Sequence, residues 1–256
     1  MEFGLNLFSL RTLIGTEQGF DETVGRLKEM GYSFLQYSGG PYDPDMIERV
    51  SKKHGMPVVL THVPMQRILD EPDALMEEHA RFGCKNIGLG AMDIFKITDK
   101  DAMQSIVSGL ERSAQRMNEK GYKFFYHNHH FEFYKHDGRT VLDYMIENAP
   151  HVNFTLDTFW VQYGGASITD TVRRLKGRIE CVHLKDYMLV PNKEAFAFFE
   201  PKFAPVGDGN IDFKLLIPEM QAAGAEYFIV EQDNACDLED SMAQVERSIK
   251  YLKGEF

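Results

Sequence analysis

A short unit recurs along the chain: an amphipathic run, a glycine, then a β-branched or aromatic run. It appears in EMGYSFLQYS at Gly31, KHGMPVVLTHVP at Gly55, RFGCKNIGLG at Gly83, EKGYKFFYHNH at Gly121, LKGRIECVHLKD at Gly177 and AAGAEYFIVEQD at Gly224. Glycine suits the left-handed position that closes a helix, and a strand follows at once. A seventh unit, NAPHVNFTLDT, stops its helix with Asn148 and Pro150. The opening FGLNLFSL adds a strand with no helix before it, which makes eight predicted strands.

The runs between them read as helices. Phe20, Val24, Leu27 and Met30 share one helical face, with Asp21 near the start. DAMQSIVSGLERSAQRMNEK repeats the pattern through Met103, Ile106, Val107, Leu110 and Met117. Strands that alternate with helices predict a parallel sheet. Eight units over 256 residues average about 32 each, which suits a (β/α)8 TIM barrel as one domain over 1–256. An open doubly wound sheet is the alternative, but no G-x-G-x-x-G follows the first strand.

A hydrophobic fraction of 43% is enough for one extended core. The three cysteines, Cys84, Cys181 and Cys236, form no C-x-x-C pair, which predicts reduced thiols and a cytoplasmic location. MEFGLNLFSL lacks the pattern of a secretory signal, and no apolar run nears the ~20 residues of a membrane span. A net charge of −11, with no basic run longer than SKKHG or VRRLKGR, argues against nucleic acid as a partner.

Barrels of this kind carry their chemistry at the C-terminal ends of strands. Here those ends read SL, QYS, THVP, GLG, YHNH, LDT, HLKD and VEQD, and the last four hold nearly all the ionisable residues. Alternation along a strand sorts them by face. Asn153, Thr155 and Asp157 share one face, as do Cys181, His183 and Lys185; Tyr227, Ile229, Glu231 and Asp233; and Phe125, His127 and His129. Four neighbouring strands therefore bring His127, His129, Asp157, His183 and Glu231 toward one mouth, with Glu132 just past its strand. Carboxylates mixed with imidazole suit Mn²⁺, Zn²⁺, Co²⁺ or Fe²⁺ better than Ca²⁺, with Mg²⁺ less usual. Uncompensated charges there would cost several kcal/mol, so a bound metal is the simpler account.

The set YHNHHFEF, LDTFWV, VHLKDY, PVGDGNIDF and IVEQD, taken in order and spacing, resembles the sugar phosphate isomerase/epimerase family of xylose isomerase-like barrels. The resemblance runs strand by strand over essentially the whole chain. It implies one divalent metal, Mn²⁺ first, held by Glu, Asp, His and Glu from strands five to eight. Asp157, His183 and Glu231 match the last three. The fifth strand departs from the epimerase pattern, with His127 where those enzymes place a glutamate. Either His127 is a ligand, or Glu132 folds back to replace the missing carboxylate. Glu132 is preferred here because it preserves the family's charge balance. Epimerases use both metal-bound glutamates as an acid/base pair, so a histidine there moves the pattern toward the dehydratase branch.

The expected activity is isomerisation or epimerisation of a small keto-sugar or related polyol carbonyl through an enediolate. The base would be Glu231, Glu132 or His129, and Lys185 would stabilise the anion. A metal-dependent lyase acting on a keto-sugar or inosose is the second reading, and a non-catalytic sugar-binding barrel the third. His62, His127 and Trp160 are assigned to substrate contact, with a carbohydrate as the partner and a homo-oligomer in keeping with the family. Plainer roles suit other residues. His54, His79, His136 and His151 read as structural, His130 has the wrong parity, and Lys185 could simply pair with Asp157 or Glu231. PVGDGNIDF reads as a turn leading to a helix near Asp212.

Overall fold

Gly31 shows how each unit turns. Its φ is 101°, and its N–H donates to the carbonyls of Leu27 and Lys28, closing the helix Glu17–Met30. A side chain there would strain the backbone, so glycine holds the place. Gly55, Gly83, Gly121, Gly177 and Gly224 share the left-handed conformation. In the computed structural model, which describes all 256 residues, eight strands, six of them following these turns, close into a parallel barrel.

The strands are β1 Phe3–Asn6, β2 Phe34–Tyr37, β3 Val58–His62, β4 Asn86–Leu89, β5 Lys123–His127, β6 Val152–Asp157, β7 Cys181–Leu184 and β8 Tyr227–Val230. Each pairs with its sequence neighbours, and β8 closes against β1 with Ile229 opposite Gly4. Gly4 is required by crowding, since a Cβ there would lie 2.2 Å from the Phe34 ring. The register sets Asp157 beside His183 and His183 beside Ile229, two residues before Glu231.

Two apolar layers hold the barrel. Phe34, Leu60, Phe125, Cys181 and Ile229 fill its interior, as the alternation predicted for the last three. A larger shell lies between strands and helices. The long helix Lys100–Glu119 contributes Met103, Val107, Leu110 and Met117 to that shell, while Ile106 is half-buried against it.

The first helix starts one turn earlier than expected. Thr16 caps it by accepting from Gly19 N, so Asp21 lies inside, 2.6 Å from Lys53 Nζ and 2.9 Å from His54 Nε2. Asp212 caps the helix Phe213–Ala222, as predicted. Two hairpins were not foreseen: Asp186–Pro191 with Phe199–Ala204, and Lys135–His136 with Arg139–Thr140. The first carries Pro191 and Pro201 and the second has strands of only two residues, and both features weaken the alternating signal. No helix is long and apolar enough to cross a membrane.

Candidate metal centre at the barrel mouth

His127, Asp157, His183 and Glu231 are all buried, and one donor atom from each lies within 4.8 Å of the others. His127 Nε2 is 3.1 Å from Asp157 Oδ2 and 3.1 Å from His183 Nδ1, while His183 Nδ1 is 3.0 Å from Glu231 Oε2. Ligands bonded at roughly 2.1 Å in a tetrahedron are roughly 3.4 Å apart, close to these spacings.

Neighbouring groups dictate which ring nitrogens are free. Gln36 Oε1 stands 2.7 Å from His183 Nε2, and Gly90 O stands 3.2 Å from His127 Nδ1. A carbonyl oxygen only accepts, so both of these nitrogens carry protons. That leaves the facing pair, His127 Nε2 and His183 Nδ1, at 3.1 Å. As the pocket stands, the carboxylates of Asp157 and Glu231 hold a proton on His183 Nδ1 beside His127 Nε2, and a divalent ion would take that proton's place. Glu231 Oε2 is buried with no aligned hydrogen-bond donor. Lys185 Nζ comes within 2.7 Å of it, but out of line for a hydrogen bond, so the contact is ionic only. The donor set fits a divalent ion of the Mn²⁺ or Zn²⁺ kind.

Local structure explains why each group points inward. Asp157 ends β6 and caps the short helix Thr158–Tyr163, its Oδ1 accepting from Trp160 N at 2.9 Å. Its Oδ2 is thereby turned to the mouth. Glu231 is steered by Asn6, whose Nδ2 donates to Oε1 at 2.5 Å. Asn6 in turn accepts from the Ser38 hydroxyl.

Lys185 lies among three carboxylates: its Nζ is 3.1 Å from Asp157 Oδ2, 2.7 Å from Glu231 Oε2 and 3.1 Å from Asp233 Oδ1. Burial would strip its proton, but these carboxylates hold it charged. In return, although burial opposes ionisation, Lys185 and the histidines hold Asp157 and Glu231 below the usual carboxylate range. Burial alone would lower His183 too; Glu231 and Asp157 instead push it up to about 9. Asp233 behaves differently. Burial pushes it up to about 6 against the pull of Lys185.

Glu132 lies apart from this set. It is fully buried beside β5, but its carboxylate accepts from the Tyr126 hydroxyl and from His129 N at 2.7 Å, and it is absent from the donor set. Burial pushes it up to about 7, despite both donors. His127 stands where the fifth-strand glutamate was sought.

The remaining candidates divide. His62, His127, His129, Lys185, Glu231 and Asp233 line a cavity of about 180 Å³; the histidines come from β3 and β5 and the others from the ends of β7 and β8, across the barrel in strand order. Trp160 is not in the lining. It supports His129 from a ring distance of 5.3 Å, and Lys185 Nζ lies 5.2 Å from its ring centroid. His130 is exposed and stacks on Trp160. His54, His136 and His151 bond locally to Asp21, Ile97 O and Glu111. His79 is buried between Thr61 and Leu75 O. Sequence reading missed Asn6, Gln36 and Asp233. A lone amide at an inward position of an apolar strand was the available signal for the first two. Asp233 shares the parity of Glu231.

A profile of the xylose isomerase-like TIM barrel family matches residues 24–254. The chain belongs to that family. Within it, the chain is 33% identical over 138 residues to an inosose dehydratase of Geobacillus thermodenitrificans, which is 50% of this chain and 46% of that protein. The chain thus spans about half the length of that relative. An inosose dehydratase of Lacticaseibacillus casei is 23% identical over 258 residues, covering 87% of this chain and 85% of its own length. A crystal structure of a sugar phosphate isomerase/epimerase from Parabacteroides distasonis superposes with a TM-score of 0.79 at 21% identity, over 98% of this chain and 97% of that one. It shares the fold.

Proposed function

We propose that this xylose isomerase-like barrel is a metal-dependent dehydratase of a small keto-polyol of the inosose kind. The observation that carries the choice is the side on which the carboxylates stand. An epimerase needs a base on each face of the reacting carbon. Here the two cavity-lining carboxylates, Glu231 and Asp233, come from the end of β8, and the facing wall is imidazole from β3 and β5. Glu132, which could have supplied the opposite carboxylate, is held by Tyr126 and His129. The inosose dehydratase relatives support the same reading.

When bound by His127, Asp157, His183 and Glu231, a divalent ion supplies Lewis acidity at the substrate carbonyl. Lys185 contacts both carboxylates, but Glu231 is buried, held by Asn6 and part of the metal set, whereas the Asp233 side chain is 25% exposed and outside that set. Asp233 therefore takes the proton from the carbon next to the carbonyl. The Lys185 ammonium faces the negative charge that develops on oxygen. The hydroxyl on the following carbon leaves from the same side, the C–O bond breaks as the C=C bond forms, and Asp233 returns its proton to give water. His62 and His129, both kept neutral by burial, orient hydroxyls through hydrogen bonds.

The test is incubation with an inosose and Mn²⁺ in D₂O. Loss of one water in the mass, with a conjugated carbonyl absorbance, is the expected result. Deuterium uptake into a substrate that keeps its water would replace dehydration with epimerisation.

A further inference from the structure

Gln36 sits near the end of β2, fully buried, and its amide touches two imidazoles. Oε1 is 2.7 Å from His183 Nε2, and Nε2 is 3.0 Å from His62 Nε2. An amide oxygen accepts and an amide nitrogen donates, so one group imposes opposite conditions on its neighbours. His183 must carry its proton on Nε2, leaving Nδ1 for the metal set. His62 must present a lone pair at Nε2, and as a neutral ring it then carries its proton on Nδ1. That nitrogen faces the cavity wall, since a Cβ on Gly90 would lie 3.2 Å from it. Both His62 and Gly90 line the cavity.

We propose that Gln36 is a positioning residue that sets both tautomers at once, readying His183 to hold the metal and His62 to donate a hydrogen bond to substrate. For His183 this rests on the metal reading above; for His62 it does not. The His62 ring also lies beside those of His127 and His183, at 5.4 Å and 5.9 Å, so its tautomer is set inside one packed group.

The decisive measurement is the imidazole ¹⁵N spectrum of the Zn²⁺-loaded protein, in wild type, Gln36→Glu and Gln36→Met. In wild type the His62 proton is expected on Nδ1. In Gln36→Glu the carboxylate accepts from both rings, so the His62 proton should move to Nε2. His183 keeps its tautomer, Zn²⁺ affinity stays within about threefold, and inosose binding weakens about tenfold or more. Gln36→Met anchors neither ring and should weaken Zn²⁺ binding about 10- to 100-fold, as loss of a ligand's outer partner does. A wild-type His62 proton on Nε2, or an unchanged His62 tautomer in Gln36→Glu, overturns the proposal. Wild type that takes up no Zn²⁺ overturns the metal reading instead, and the His62 signals of the same sample still decide the role of Gln36.

Discussion

The barrel has a cavity at each end, and the larger one is chemically the quieter. At the N-terminal ends of the strands a space of about 380 Å³ is lined by residues such as Ser33, Pro57, Lys123 and Glu180. Two of its cations are engaged locally: Lys123 pairs with Glu180, and Lys85 Nζ lies 3.9 Å from the Tyr122 ring centroid. The mouth at the other end is half that size, about 180 Å³. There His127, Asp157, His183, Lys185 and Glu231 are all buried and depend on one another. Volume does not mark the working end. On the reading proposed above, a buried group of mutually dependent donors does.

The largest effect that would sharpen this contrast is expected at Asp233. Asp233→Asn keeps the shape of the mouth and its four candidate metal donors but removes the proposed base. Turnover should fall by about 10²–10⁴, the usual worth of a positioned base, with metal content unchanged. A variant that kept wild-type turnover would return the proton transfer to Glu231 or His129.

Glu132 gives a pH-dependent test next to the mouth. Its folded pKa, raised to about 7, lies above the ordinary glutamate value of 4.5. The folded protein therefore holds a proton that the unfolded chain releases between about pH 4.5 and 7. The associated stability is fully present below 4.5 and is lost as pH rises through 7, up to about 3 kcal/mol in all. Glu132→Gln should flatten that slope in denaturant unfolding curves and still bind metal. Loss of metal in this variant would restore Glu132 as a ligand and undo the assignment of His127.

The same residue shows where sequence reading stops. Helix-closing glycines and strand parity made the barrel legible, because both are set by backbone geometry within a few residues. Asp157, His183 and Glu231 were legible for the same reason, each standing at an inward position where its strand ends. Glu132 was not. Its direction depends on the turn Phe131–Phe133 and on the Tyr126 hydroxyl, a contact made through the fold. Asn6 and Gln36 were hidden differently. They lie on β1 and β2 and act on Glu231 and His183, more than a hundred residues away in sequence. Parity could place those amides inside the barrel, but not say what they would meet.

Lys185 tests whether the mouth is a metal site with a cation beside it or a site where the ammonium is the cation. Its Nζ contacts Asp157 Oδ2 and Glu231 Oε2, the oxygens that complete the donor set. Lys185→Met should tighten Mn²⁺ binding about 10- to 100-fold, or ~1.4–2.7 kcal/mol, by removing the competing charge. The metal-free protein should lose stability, because two buried carboxylates then lack their partner. Weaker Mn²⁺ binding in titration calorimetry would show that Lys185 supports the metal set and does not compete with it.

The smallest expected effect lies at the opposite end. Lys123 and Glu180 form an ion pair whose side chains are 48% and 19% exposed, so water screens it. Lys123→Ala should cost about 0.2–1 kcal/mol in unfolding and leave metal content and turnover unchanged. Between the pair and the mouth lies the inner packing of Phe34, Leu60, Phe125, Cys181 and Ile229. If Lys123→Ala lowered metal affinity tenfold, the two ends would be coupled through that apolar layer. The larger cavity would then have to be read as part of the working site.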